Sequence, residues 1–182
     1  MRKILSKTFF QRNTLAVARE LLGKFLVRKI GKREIAGIIT DVEAYDGLND
    51  KASHASRGKT KRNEVMFRAG GVWYVYCVYG MYEMLNIVTR EKGYPSAILI
   101  RGVLADDVLY KKTNGPGKLT KFFCIKRSLN ENQAQKNSGL WIEDRGIKIK
   151  NFLRGKRIGI DYAGAWKHRL WRFYIMVEIA KI

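Results

Sequence analysis

Val72-Trp73-Tyr74-Val75-Tyr76-Cys77-Val78-Tyr79-Gly80-Met81-Tyr82 alternates along its first eight residues and then meets a glycine. Val72, Tyr74, Tyr76 and Val78 fall on one face, and Trp73, Val75 and Cys77 on the other, which is the period of a β-strand. Gly80 can turn the chain, and Tyr82–Thr89 reads as the returning strand, so the segment is an antiparallel hairpin. Working outward, Ala97–Val103 is a further strand. Phe25–Ile30 and Ile35–Val42 flank Gly31-Lys32-Arg33 as a second hairpin. Asn13-Thr14 can cap a helix that carries Leu15, Ala18 and Leu22 and ends at Gly23. Pro116 suits the first turn of a helix bearing Leu119, Phe122 and Phe123. Short strands are expected near Ile147, at Ile158–Ile160 and at Leu170–Val177. Hairpins around a few helices predict an α+β fold: a single mixed domain over residues 1–182, with a largely antiparallel, curved β-sheet, flanking helices and a protruding β-hairpin.

The chain has 182 residues, with 36 Lys+Arg against 16 Asp+Glu, a formal net charge of +20. A hydrophobic content of 46% excludes a disordered polyelectrolyte. The charge points to a polyanion, either nucleic acid or an anionic membrane surface. No apolar run is long enough to span a bilayer, the N-terminus does not read as a signal peptide, and no long basic amphipathic helix supports a peripheral membrane role. Cys77 and Cys124 belong to no CxxC pair, and the histidines are His54 and His168. No zinc or iron–sulfur site is therefore expected, and the thiols read as buried and free in a reducing cytoplasm.

Four stretches could carry chemistry. Asp41-Val42-Glu43-Ala44-Tyr45 closes an apolar strand, and a carboxylate there is either a solvated strand-end acid or a general base. Keeping Glu43 beside a polyanion site is electrostatically unfavourable unless it has a task. Tyr74, Tyr76, Tyr79 and Tyr82 surround the tight turn. Tyrosine is a good strand residue, but its faces also stack on bases at about 1–3 kcal/mol each. Tyr79, beside Gly80 at the tip, is poorly placed for a core and well placed as a wedge between base steps. Arg57-Gly58-Lys59-Thr60-Lys61-Arg62-Asn63 is a basic loop suited to phosphates. It is not a P-loop, because Ser53 stands where the first glycine would be. Arg101 closes an apolar strand, and Asn114-Gly115-Pro116-Gly117-Lys118 opens a helix that could meet a phosphate. Together these suit an enzyme that extrudes a nucleotide from the stack and hydrolyses its glycosidic bond. A non-catalytic nucleic-acid-binding module needs only the charge and the tyrosines, and gives Glu43 no role.

The markers Val42-Glu43-Ala44-Tyr45, Ala52-Ser53-His54, Arg62-Asn63-Glu64-Val65-Met66-Phe67, Tyr74-Val75-Tyr76 with Tyr79-Gly80-Met81, Leu85-Asn86, Ile98-Leu99-Ile100-Arg101 and Asn114-Gly115-Pro116-Gly117-Lys118-Leu119 resemble, in order and spacing, the alkyladenine type of 3-methyladenine DNA glycosylase, or methylpurine DNA glycosylase. The resemblance implies a monofunctional glycosylase of base-excision repair, of the DNA-3-methyladenine glycosylase II type. Such an enzyme flips 3-methyladenine, 7-methylguanine and, in some members, hypoxanthine and ethenoadenine out of duplex DNA. It implies Glu43 as the base that activates water, with Arg101 and the Ile160 carbonyl holding that water. Tyr45, His54, Tyr76 and Asn86 surround the flipped base, and Tyr79 intercalates. Arg57, Lys59, Arg62 and Lys118 are the expected backbone contacts. It implies no cofactor and no metal, damaged double-stranded DNA as partner, a monomer, and a cytoplasmic location, nucleoid-associated in a bacterium. Lys61 stands where many members have proline, and Ser128–Gly139 matches poorly.

Overall fold

In the computed structural model, which describes residues 2–106 and 108–177, the longest strand runs from Arg33 to Asp46. In chain order the strands are β1 (Lys3–Ile4), β2 (Phe25–Ile30), β3 (Arg33–Asp46), β4 (Trp73–Val78), β5 (Tyr82–Val88), β6 (Ser96–Ala105), β7 (Leu140–Asp144), β8 (Leu153–Gly155) and β9 (Arg172–Tyr174). The α-helices are α1 (Lys7–Phe10), α2 (Thr14–Leu21) and α3 (Pro116–Phe122). All of these strands join one antiparallel sheet in the order β1-β7-β2-β3-β6-β5-β4. Off that path, β9 pairs with Asp41–Glu43 of β3 and carries β8 on its far side. The mixed, largely antiparallel architecture expected from the hairpins is therefore what the chain adopts.

The two faces of β4 go to different places. Trp73 and Val75 enter the main core with Val17, Leu21, Leu26, Ile39, Ile100 and Phe123. Val72, Tyr74 and Tyr76 face a second cluster with Met66 and Ala97. Trp73 is fully buried and donates its indole N–H to the Leu140 carbonyl at 3.0 Å, tying the hairpin to β7. Truncating such a residue costs about 3–5 kcal/mol. The Asn13 side chain accepts from the Leu15 and Ala16 amides, which fixes the start of α2, and Val17, Ala18 and Leu21 bury its inner face.

At the hairpin tip Tyr79 (φ 53°) and Gly80 (φ 67°) are the central pair of a turn closed by the Met81 N–H to the Val78 carbonyl, 3.1 Å. Positive φ at both positions is the requirement of a type I′ turn. The hairpin leans on α3, where a Cβ on Gly117 would lie 2.9 Å from the Tyr82 ring, so this contact needs glycine.

Four expectations are corrected. Residues near Ile147 and Ile158–Ile160 are not strands; the strands there are β7 and β8. β9 is shorter than the anticipated Leu170–Val177. Glu43 does not close its strand, because β3 continues to Asp46. The thiols are free, but Cys124 is exposed and Cys77 only half-buried. Among the described residues no helix is long and apolar enough to cross a membrane.

Candidate active site

Tyr74 and Tyr76 project from β4 into a cavity of about 280 Å³, which Tyr45 of β3, His54, Asn86 of β5 and Arg101 of β6 also line. His54 opens the short 3-10 turn His54–Arg57, capped by the Ser53 hydroxyl. Its Nδ1 lies 2.9 Å from the Tyr74 hydroxyl, and its ring stands edge-on to Tyr76, centroids 4.6 Å apart. Desolvation against these rings, followed by the Arg62 charge, lowers its pKa to about 4, so the imidazole is neutral near pH 7. Desolvation likewise pushes the Tyr74 phenol up to about 12 and raises Tyr45 and Tyr76, keeping all three uncharged. The buried Asn63 amide donates to the His54 and Gly58 carbonyls, both at 2.9 Å, which secures the basic loop to the pocket floor. Asn86 donates its amide to the Tyr74 and Met84 carbonyls at 3.1 and 3.2 Å, so its nitrogen is committed to the hairpin.

Glu43 sits directly behind this wall, with no surface exposed. Oε1 accepts from the Ile158 N–H at 2.8 Å and lies 3.4 Å from Arg101 Nη1; Oε2 accepts from the Tyr45 hydroxyl at 2.9 Å. Tyr45, Arg101 and Ile158 all line the cavity, so every partner of the carboxylate reaches the open side. Burial raises the Glu43 pKa, while Arg101, the Ile158 amide and the Tyr45 hydroxyl each oppose that rise by favouring the anion.

The sheet register shows how Arg101 arrives there. β3 and β6 pair Ile39 with Val103, Asp41 with Gly102 and Val42 with Ile100. Thr40 on one strand and Arg101 on the other are thus extra residues, two successive bulges on either side of the Asp41–Gly102 pair. A bulge re-aims its side chain, and Arg101 is turned towards the carboxylates of Asp41 and Glu43, at 3.7 and 3.4 Å.

A buried ion pair fixes the other wall. Arg157 and Asp50 are both fully buried and joined by two hydrogen bonds, and Arg157 also donates to the Ala44 carbonyl at 2.9 Å. Its guanidinium lies over the Tyr45 ring at 4.7 Å. This pair holds the Ile158 amide on Glu43. The sequence reading missed it, as it missed Tyr162 and the Asp41–Arg172 pair. An arginine before Ile158-Gly159-Ile160 was the available signal, but the apolar pattern reads more naturally as a strand.

The remaining expected residues lie around this centre. Ile160 lines the cavity, and its carbonyl accepts from Ala163 N–H at 2.9 Å. Arg62 lines the mouth, 5.6 Å over the Tyr76 ring. Arg57, Lys59 and Lys118 are exposed, and Tyr79 is 86% exposed at the tip. Among the described residues no cluster of three or more His, Cys, Asp or Glu side chains is placed to hold a metal ion.

An aromatic cavity edged by two arginines, with a buried, hydrogen-bonded carboxylate behind it, on a protein of charge +20, fits a nucleic-acid enzyme. Comparison with known proteins gives the class. The family model described as "Methylpurine-DNA glycosylase (MPG)" matches residues 8–178, and the chain belongs to that family of hydrolases acting on N-glycosyl bonds in DNA repair. Relatives named "Putative 3-methyladenine DNA glycosylase" occur in Methanocella arvoryzae, 44% identical across 94% of this chain and 92% of the relative. Others are in Legionella pneumophila (strain Paris), 43% identical across 96% and 95%, and in Borreliella burgdorferi (strain ZS7), 43% identical across 94% and 95%.

Proposed function

We propose that the chain is a monofunctional glycosylase that flips alkylated purines out of duplex DNA and hydrolyses the bond between the base and C1′. The observation that carries this reading is Glu43, buried behind the aromatic cavity and held by Tyr45, Ile158 and Arg101, all of which reach the cavity. Methylation at N3 or N7 leaves the purine cationic, so it departs with the C1′–N bond electrons as a neutral base. Electron-rich tyrosine faces favour such a cation. Glu43 takes the proton of the attacking water and stabilises the positive charge that develops on the sugar. Arg101 and the Ile160 carbonyl hold that water, and Tyr79 fills the vacated stack. Glu43 is closed off in the free protein, so a base stacking on Tyr45 must also open the path of water to it. Among the described residues no lysine lines the cavity, which favours water over an amine as nucleophile. Alkylated purines are the primary substrates, with hypoxanthine and ethenoadenine as further ones.

The test is base release under single turnover from duplexes that each hold one defined lesion. Glu43→Gln should lower the rate about thousandfold or more. Equal activity of native and Gln proteins removes Glu43 from the mechanism, and absence of base release from every duplex removes the substrate assignment.

A further inference from the structure

Asp41 lies two residues before Glu43 on the same strand, and only 3% of it is exposed. Its carboxylate is not used by the mechanism above, yet it is held by several hydrogen bonds. Arg172 of β9 donates to it through Nε at 3.0 and 3.2 Å and through Nη2 at 2.8 Å. On the opposite side stands Arg101, whose Nε is 3.7 Å from Asp41 Oδ2. That Nε is buried and has no hydrogen-bond partner. A buried N–H left unmade is destabilising, and the Asp41 carboxylate is an acceptor within reach of it. The successive bulges of β3 and β6 that flank the Asp41–Gly102 pair produce the arrangement, and Gly102, directly across from Asp41, leaves it room: a Cβ there would lie 3.1 Å from the Asp41 Cβ.

The four side chains form a row of alternating charge, Arg172, Asp41, Arg101, Glu43. Tyr110, bonded to Thr40 at 2.9 Å, and Tyr174, paired with Asp41 across β9, are the other titratable groups beside Asp41, and Tyr45 and Tyr76 are those that face Glu43. We propose that Asp41 is a positioning residue of the hydrolytic centre, which anchors Arg101 through Nε so that its Nη1 is presented to Glu43 and to the water between them. This rests on the reading of Glu43 and Arg101 given above. Without Asp41 the row carries an extra positive charge, and Arg101 is drawn fully onto Glu43, where it occupies the lone pairs that water needs. The 3.7 Å gap closes to a hydrogen bond when the site is loaded, as catalytic contacts that are long in the free enzyme commonly do.

The experiment is the single-turnover pH–rate profile on a duplex containing one 7-methylguanine. Its leaving group is already cationic, so the acid limb reports on Glu43. Asp41→Asn should lower the plateau rate about tenfold or more with unchanged affinity for the duplex. It should also move the acid limb to lower pH, because a negative neighbour of Glu43 has been removed. Arg172→Gln removes a positive neighbour and should move the limb to higher pH, and Asp41→Glu should retain most of the rate with the limb in place. A purely structural Asp41 predicts otherwise: both neutral variants lose rate equally at every pH, with no opposed shifts. That result, or a wild-type profile for Asp41→Asn, overturns the proposal. If Asp41→Asn does not melt cooperatively, the Arg172→Gln shift and the Asp41→Glu rescue decide, and absence of the shift overturns it. Glu43→Gln is run in parallel. Full activity there overturns the reading of Glu43 and this inference with it, whereas an inactive Glu43→Gln beside a wild-type Asp41→Asn overturns this inference alone.

Discussion

The Tyr45 hydroxyl donates to Glu43 Oε2 at 2.9 Å, joining the strand's aromatic wall to the carboxylate behind it. The bond stabilises the anion and so opposes the rise in Glu43 pKa that burial causes. Tyr45→Phe removes the bond and keeps the ring. Glu43 should then titrate at higher pH, shifting the acid limb of base release upward, while binding of lesion duplex is preserved. Tyr45→Ala should lose binding as well, which equilibrium titration of both variants will show.

Tyr79 combines 86% exposure with φ 53°, a backbone conformation that suits asparagine better than tyrosine. Tyr79→Asn should therefore leave thermal stability unchanged or slightly higher, while duplex affinity and base release fall. A parallel loss of stability would show that the ring has a packing role.

His54 titrates at about 4 in the folded chain against 6.5 unfolded. The unfolded state therefore binds the extra proton between those values, and stability rises with pH across that window. His54 contributes its full share above about 6.5 and loses it as pH falls towards 4. Urea midpoints of wild type and His54→Gln should converge on acidification. Tyr74→Phe, which leaves Nδ1 unpartnered, should cost about 1 kcal/mol near pH 7.

Arg57, Lys59, Arg62 and Lys118 are all exposed, and Arg62 lines the cavity. If each neutralises a phosphate, each alanine variant should reduce the salt dependence of duplex binding by a slope of about 1, equally for intact and damaged DNA. Arg62, which also lies over Tyr76, should in addition weaken lesion preference.

Asp50 and Arg157 form a fully buried pair. Removing one partner leaves the other charge unmatched, at a cost of about 3–5 kcal/mol. Asp50→Ala should lower the melting temperature sharply and, at temperatures where it is folded, slow base release, since Ile158 loses its support.

The local part of this protein was legible in its sequence. The period-2 alternation over Val72–Val78, the glycine after Tyr79, the asparagine before α2 and the proline at α3 act over a few residues, and the elements they predicted are present. The tyrosines, His54 and the acid at 43 could be proposed because their residue types are unusual in their neighbourhoods. What sequence could not supply was distance. Arg101 faces two carboxylates only because paired bulges add one residue to each of two strands remote in the chain. Ile158 reaches Glu43 only because a buried pair 107 positions apart pins its segment. The same holds for Glu43 itself: a strand-end acid in sequence is a fully buried one in the fold, because β9 adds to β3 just there. Side-chain chemistry and backbone period are properties of neighbours, so the sequence determined them; desolvation and charge pairing depend on what the whole chain brings together, and those the tertiary structure alone decided.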